Sequence, residues 1–271
     1  MGKIAWVTGA SSCLGLETLN ALHTSGWTVV GGARSFGDTE EEAGILRLTL
    51  DVTVDDSVKA FAEKAFSRFG APDVLINGAG VMVLGPAENI SMDELKSVLD
   101  VNFLGMVRMT KAALPLMQEK GSGRIVNFSS INGLLASPFQ SAYVASKHAI
   151  EGWSECLNME CYASGIRVMV VEPGDHRGGG QKYRPHAEEI APRYRAAFLK
   201  GSATIARDEE TGSDPKALGR KVAHALSRRR LPARLRVAKL SQHTAVFLHD
   251  LLPSSLFLRA LSAYYRSGGK V

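Results

Sequence analysis

What most constrains this chain is an alternation, over residues 1–174, of short and almost continuously apolar runs with longer stretches of helical period. The runs fall at 3–7, 28–32, 45–50, 74–77, 124–129 and 167–172. From Val168 to Val171 no polar residue interrupts the run, so both faces of such a strand need cover. Helices are expected up to Ser25, at 54–69, at 91–119 with an interruption near Pro115, and at 141–164; Gly26 is placed to close the first. Strand–helix alternation with strands buried on both faces predicts an α/β fold, a doubly wound parallel sheet with helices on both faces. Ligands then collect beyond the carboxyl ends of the strands.

A length of 271 residues suffices for one such domain with a well-buried core, so 1–271 is read as a single unit. After Gly174 the order loosens. Residues 175–215 are polar and turn-rich and are expected to form a substrate lid. Residues 216–271 form a basic C-terminal extension, with a short strand at 235–237 and apolar helical stretches within 245–265. From Lys216 onward there are twelve Lys or Arg and one acidic residue, Asp250. A solvated basic face is the simpler account, and peripheral contact with an anionic membrane is the alternative. Nucleic acid is not expected as a partner. The three cysteines, Cys13, Cys156 and Cys161, form no C-x-x-C pair, and no His cluster completes a metal site. An odd, sparse count fits a reducing compartment. No run of about 18 apolar residues is present, and no basic-then-apolar leader opens the chain, so a cytoplasmic location is expected.

Two local patterns carry chemistry. The first strand runs into Thr8-Gly9-Ala10-Ser11-Ser12-Cys13-Leu14-Gly15. A glycine-rich turn from strand to helix lets backbone N–H groups approach a pyrophosphate, and the helix N-terminus favours its charge. The second strand ends in Ala33-Arg34, where NAD-binding folds place an acidic residue for the ribose hydroxyls. Without that carboxylate, the Arg34 guanidinium is free to pair with a 2′-phosphate. Small residues at Asn77-Gly78-Ala79-Gly80 suit a strand end pressed against a cofactor. The second pattern is Tyr143-x-x-x-Lys147, four residues apart and therefore on one helix face. A nearby ammonium lowers the phenol's pKa from about 10 and suits it to proton transfer.

Together these phrases resemble the short-chain dehydrogenase/reductase family over about residues 3–174, and more loosely to the end. The loop resembles its T-G-x-x-x-G-x-G, with Cys13 at the middle glycine. The Ala33-Arg34 pair looks like NADP-preferring members. Asp51 and Val52 match the residues that meet adenine, and 77–80 resembles N-N-A-G with Gly78 in place of the second Asn. The phrases at 125–130 and 141–147 resemble the family's serine strand and tyrosine helix, and Asn102 matches its helix asparagine. The resemblance therefore implies a Rossmann-type fold binding NADP(H) and an Asn102-Ser130-Tyr143-Lys147 tetrad. Tyr143 is then the acid/base, Ser130 (with Ser129 as rival) bonds the substrate oxygen, Lys147 holds the nicotinamide ribose, and Asn102 holds a water. Pro173-Gly174 fits the turn under the nicotinamide, with Gly178 where a Thr usually stands. The role of His176 is left open; a lone loop histidine is more often solvated than functional.

The implied reaction interconverts a carbonyl and a secondary alcohol. Apolar Met82, Val83, Leu84, Leu134, Leu135, Pro138 and Phe139 are candidate walls for a lipophilic substrate. The ending 251–257 resembles steroid- and retinol-dehydrogenase-like members. Members of the family are commonly homodimers or homotetramers. Two rivals stand beside this reading: an NADP-sensing binding protein without turnover, and an epimerase or dehydratase of the extended family, for which the chain is short.

Overall fold

The computed structural model describes residues 2–37, 40–42, 44–178, 187 and 189–268. Eight strands form one sheet in the order β3-β4-β2-β1-β5-β6-β7-β8. They are β1 Ile4–Thr8, β2 Thr28–Ala33, β3 Glu40–Glu42, β4 Ile45–Thr49, β5 Val74–Asn77, β6 Gly123–Phe128, β7 Ile166–Pro173 and β8 Arg234–Val237. Every pairing is parallel except that of β3 with β4. The short β3, with three consecutive glutamates, carries no apolar signal and was not expected.

Both faces of the sheet are covered, as the apolar runs require. Trp6, Leu75 and Ile125 face one layer with Phe61, Met109 and Met117. These come from α2 (Asp55–Phe69) and α4 (Gly105–Glu119). Ala5, Val7, Ile76 and Val126 face the other layer with Leu19, Leu22, Leu218 and Val222, from α1 (Cys13–Thr24) and α7 (Pro215–Ser227). Adjacent residues of β1 thus enter opposite cores, which is why its sequence is apolar throughout. The strand order reverses at β1, between β2 and β5, and a crevice for a ligand opens at such a switch point.

The expected helix at 91–119 is three elements: α3 (Met92–Leu99), a π-helical turn (Asp100–Leu104) and α4. Pro115 lies inside α4 without ending it. The interruption falls at Asn102 instead, a placement typical of π turns at functional positions. Helix α5 (Ser141–Glu160) ends before a 3₁₀ turn at Tyr162–Ser164. Within the expected lid, 179–186 and 188 lie outside the described residues, and α6 (Pro192–Glu210) occupies much of the rest. The C-terminal stretch forms α8 (Leu240–Leu251) and α9 (Ser254–Arg266). Among the described residues no helix is long and apolar enough to cross a membrane.

Candidate active site

The glycine loop and the loop after β5 are packed backbone to backbone. A Cβ on Gly9 (φ +67°) would stand 2.8 Å from Ala79 Cα, and one on Gly15 2.2 Å from Gly9 O. A Cβ on Gly78 would stand 2.8 Å from Thr8 O. Thr8 Oγ1 accepts from the Gly78 and Ala79 N–H groups at 3.0 and 3.1 Å. Only glycine fits these three places. Helix α1 begins here with Ser12 as N-cap, without a side-chain cap bond and with no acidic residue in its first turn. A helix N-terminus without a side-chain cap or a nearby carboxylate suits an anion. Ser11, Ser12 and Leu14 lie in this turn, beside Cys13. The cradle and the uncapped helix end fit the pyrophosphate of a dinucleotide. Cys13 has φ +44°, so the position that resembles a family glycine keeps the left-handed backbone and carries a Cβ there.

Arg34 is exposed just beyond β2, and Asp51 follows the neighbouring β4. Asp51 Oδ1 accepts from Thr53 N and Oγ1 at 2.9 and 2.7 Å. Partial burial acts to raise this carboxyl, but the Thr53 hydrogen bonds and the charges of Arg34 and Arg108 outweigh it and hold it below the usual range. The Val52 side chain is buried against Gly105, and its carbonyl accepts from Arg108. Asn77 points into the core rather than the crevice: its amide donates to Thr110 Oγ1 at 3.2 Å and Asn127 Oδ1 at 2.9 Å. Asn127 in turn donates to Ser154 Oγ at 2.9 Å. This ladder ties α4, β5, β6 and α5 together, so Asn77 positions the Gly78–Ala79 backbone.

Ser130 lies just past the carboxyl end of β6, and Tyr143 and Lys147 lie on α5, which reaches the same strand end through Lys147. The β6 strand delivers Ser130, buried, whose Oγ accepts from Asn132 N at 3.1 Å and lies 3.5 Å from Pro173 O. Ser129 Oγ turns the other way, toward Lys147 O at 3.4 Å, which favours Ser130 of the two serines. On α5, Lys147 Nζ stands 5.4 Å from the centre of the Tyr143 ring. Nζ also donates to Phe128 O at 2.7 Å. Burial pushes this lysine down to about 8, with the charge of Glu151 acting against it. Asn102 spends its side chain on the loop after β5. Oδ1 accepts from Val81 N at 2.7 Å, and Nδ2 donates to Val81 O and Ser146 Oγ, each at 2.9 Å. A Cβ on Gly80 would lie 3.5 Å from Asn102 Oδ1 and 3.9 Å from Lys147 Nζ, so all three groups border one small space. Asn102, Lys147 and Tyr143 thus stand together, and Ser130 follows the β6 strand whose Phe128 carbonyl Lys147 holds.

Gly174 closes the floor: a Cβ there would meet Gln242 Oε1 at 2.0 Å. Gln242 Nε2 donates to Asp175 Oδ2 at 2.6 Å. Burial, with Asp208 and Glu209 nearby, pushes Asp175 up to about 6. His176 is buried rather than solvated, and its Nδ1 lies 2.8 Å from Gly174 O. Gly178 has φ +82°, and beyond its chain neighbours no described residue lies within 4 Å of where its Cβ would stand.

The candidate walls divide. Met82, Leu84 and Phe139 join Phe198 and Ile205 of α6 and Tyr265 of α9. Val83 packs with Val98 and Ala142, while Leu134 and Leu135 pack against α8 and α9. Phe139 (φ +65°) and Cys13 are the non-glycine residues with left-handed backbone among the described residues. Cys13 lies in the glycine loop and Phe139 in the apolar cluster against α6; strain of this kind is commonly held at functional sites. Tyr265 OH donates to Ser137 Oγ at 3.1 Å; no local sequence signal marked it.

Comparison with known proteins accords with this geometry. Residues 3–188 match the short chain dehydrogenase family. The chain is 35% identical over 265 residues to a 3-ketodihydrosphingosine reductase of Bacteroides thetaiotaomicron, covering 97% of this chain and 98% of that protein. It is 29% identical to dehydrogenase/reductase SDR family member 7B of Danio rerio over 292 residues, covering 99% and 87%. A crystal structure of a short-chain dehydrogenase from Streptomyces avermitilis superimposes with TM-score 0.83 at 31% identity, covering 98% of each chain. With the parallel sheet and the glycine cradle in place, the chain belongs to the short-chain dehydrogenase family and is an oxidoreductase of that family.

Proposed function

We propose that the protein is an NADP(H)-dependent reductase of a lipophilic ketone, with a long-chain 3-keto lipid as the substrate class. The observation that carries the reading is the Lys147 ammonium beside the Tyr143 ring, bonded to the end of the β6 strand that leads into Ser130 and bordering Gly80 next to the glycine cradle; an apolar cluster of Met82, Leu84, Phe139 and Phe198 offers a wall for a lipophilic substrate. Bound nicotinamide supplies the hydride chemistry. The chain supplies the rest. Ser130 Oγ holds the carbonyl oxygen, and the Tyr143 phenol gives that oxygen its proton on reduction and takes it back on oxidation. The Lys147 ammonium beside the ring favours the phenolate. Asn102 fixes the loop at 80–81 against α5. Arg34, exposed just beyond β2, offers a charge for a 2′-phosphate, and Ala33 rather than an acidic residue ends that strand.

The Bacteroides relative, aligned over nearly all of both chains, supports the lipid substrate. The test is NADPH oxidation, followed by absorbance, with 3-ketodihydrosphingosine in detergent micelles and a short-chain β-keto acid in parallel. Turnover of the long-chain ketone at higher kcat/KM than the short one is expected. Equal or better turnover of the short acid overturns the substrate assignment, and tighter binding of NADH than NADPH overturns the cofactor assignment.

A further inference from the structure

A buried ion cluster stands behind Lys147. Glu151 follows it by one turn of α5, and Glu172 lies on β7 one residue before Pro173. Both are buried, with relative exposures of 6% and 0%. Two carboxylates so placed are costly unless they are paired. The pairing comes from the last strand. Arg234 Nη1 lies 2.6 Å from both Glu151 Oε2 and Glu172 Oε1, and Nη2 lies 2.6 Å from Glu155 Oε1. Arg236 Nε holds the other Glu172 oxygen at 2.6 Å. One planar guanidinium therefore spans three carboxylates on α5 and β7.

We propose that Arg234 is a positioning residue for the reaction: by clamping Glu151 and Glu172 it keeps an anion behind Lys147 and locks α5 to the strand that carries the Pro173–Gly174 turn. The proposal rests on the reading of Tyr143 and Lys147 as the acid/base pair. Burial disfavours the Lys147 ammonium, and the Glu151 charge acts against that. Burial also pushes Glu151 up, with Ser129 and Arg234 opposing and Glu172 reinforcing. The charged groups around Glu151 are Lys147 and Glu155 on α5, Glu172 on β7 and Arg234 on β8. Without Arg234, Glu172 keeps Arg236, whereas Glu151 loses its ion pair and is left with the charge of Lys147 alone, so Glu151 is the carboxylate that takes up a proton. Lys147 then loses its anion and releases its own proton at a lower pH. A neutral amine no longer favours the Tyr143 phenolate.

The test is an NMR titration of the full chain labelled with ¹⁵N-lysine, with the Lys147 resonance assigned by its loss in Lys147→Arg. Glu151→Gln keeps the shape and removes the charge, and should lower the Lys147 midpoint by about one pH unit. Arg234→Met should do the same, and Arg234→Lys should recover part of the shift. The pH–rate profile should move with the midpoint, kcat falling while KM changes little. If Arg234→Met does not fold, Glu151→Gln still decides. An unchanged midpoint in Glu151→Gln overturns the proposal, as does an Arg234→Met protein that loses thermal stability but keeps the wild-type midpoint. The titration needs no substrate, so failure to reduce any ketone overturns the functional reading and leaves this result to stand separately.

Discussion

Replacing Cys13 by glycine should stabilise the protein, and the size of the effect follows from the backbone. Cys13 opens α1 at φ +44°, a region where an L-residue pays roughly 1–2 kcal/mol for its Cβ. Glycine removes that cost but loses about 0.5–1 kcal/mol through a freer unfolded chain. The expected net gain is about 0.5–1 kcal/mol, or roughly 1–4 °C in Tm for a chain of this size. The control is Cys13→Ala, which removes the thiol and its contacts and keeps the Cβ. Only the glycine variant should rise above alanine. The assay is thermal unfolding by circular dichroism, without cofactor and with saturating NADPH. A bound ligand adds stability according to its affinity, so the difference between the two conditions reports whether the loop also binds more tightly. A glycine variant no more stable than the alanine variant would refute the expected net gain, because the strain would then not exceed the about 0.5–1 kcal/mol that glycine loses in the unfolded chain.

Four further outcomes are expected. Tyr143→Phe should lower turnover by at least ~100-fold, the scale of lost general acid catalysis, with little change in NADPH affinity by fluorescence titration; near-normal turnover would dismiss Tyr143 as the acid. Arg34→Ala should cost roughly ten- to hundredfold in NADPH affinity, the worth of a charge-assisted bond of about 1.5–3 kcal/mol, and little in NADH affinity; equal losses for both cofactors would deny Arg34 its phosphate. Lys147 is held near 8 in the folded state and is higher when unfolded, so its buried charge costs stability fully below pH 8 and progressively less up to its unfolded value. Lys147→Met should therefore gain on the wild type most at pH 7 and lose that advantage as pH rises through 8, and a difference independent of pH would count against the burial of the charge. Asp175 is raised to about 6; its charged form costs stability above pH 6 and not below its unfolded value of about 4. Asp175→Asn should then be the more stable protein at pH 7 and lose that advantage toward pH 4, as read from Tm against pH.

The apolar strands of the sheet, though not the short β3, and the pairing of Tyr143 with Lys147 were legible in the sequence because each is a local fact. A strand buried on both faces must be apolar at every position, and two residues four apart on a helix share a face whatever surrounds them. The glycines of the first loop were legible for a related reason: close backbone approach excludes every other residue. Tertiary structure decided the rest. The chain is irregular at Asn102 rather than at Pro115, because the side chain of Asn102 is claimed by Val81 and Ser146 from other elements. The apolar walls look alike in sequence, yet they separate into three clusters according to which helix covers each. Arg234 lies 83 residues from Glu151 and 62 from Glu172. Its role exists only because β8 crosses over to lie beside β7. Periodicity reports the neighbours a residue meets along its own helix or strand, whereas the partner of a buried charge depends on the order in which strands assemble, and no local spacing encodes that order.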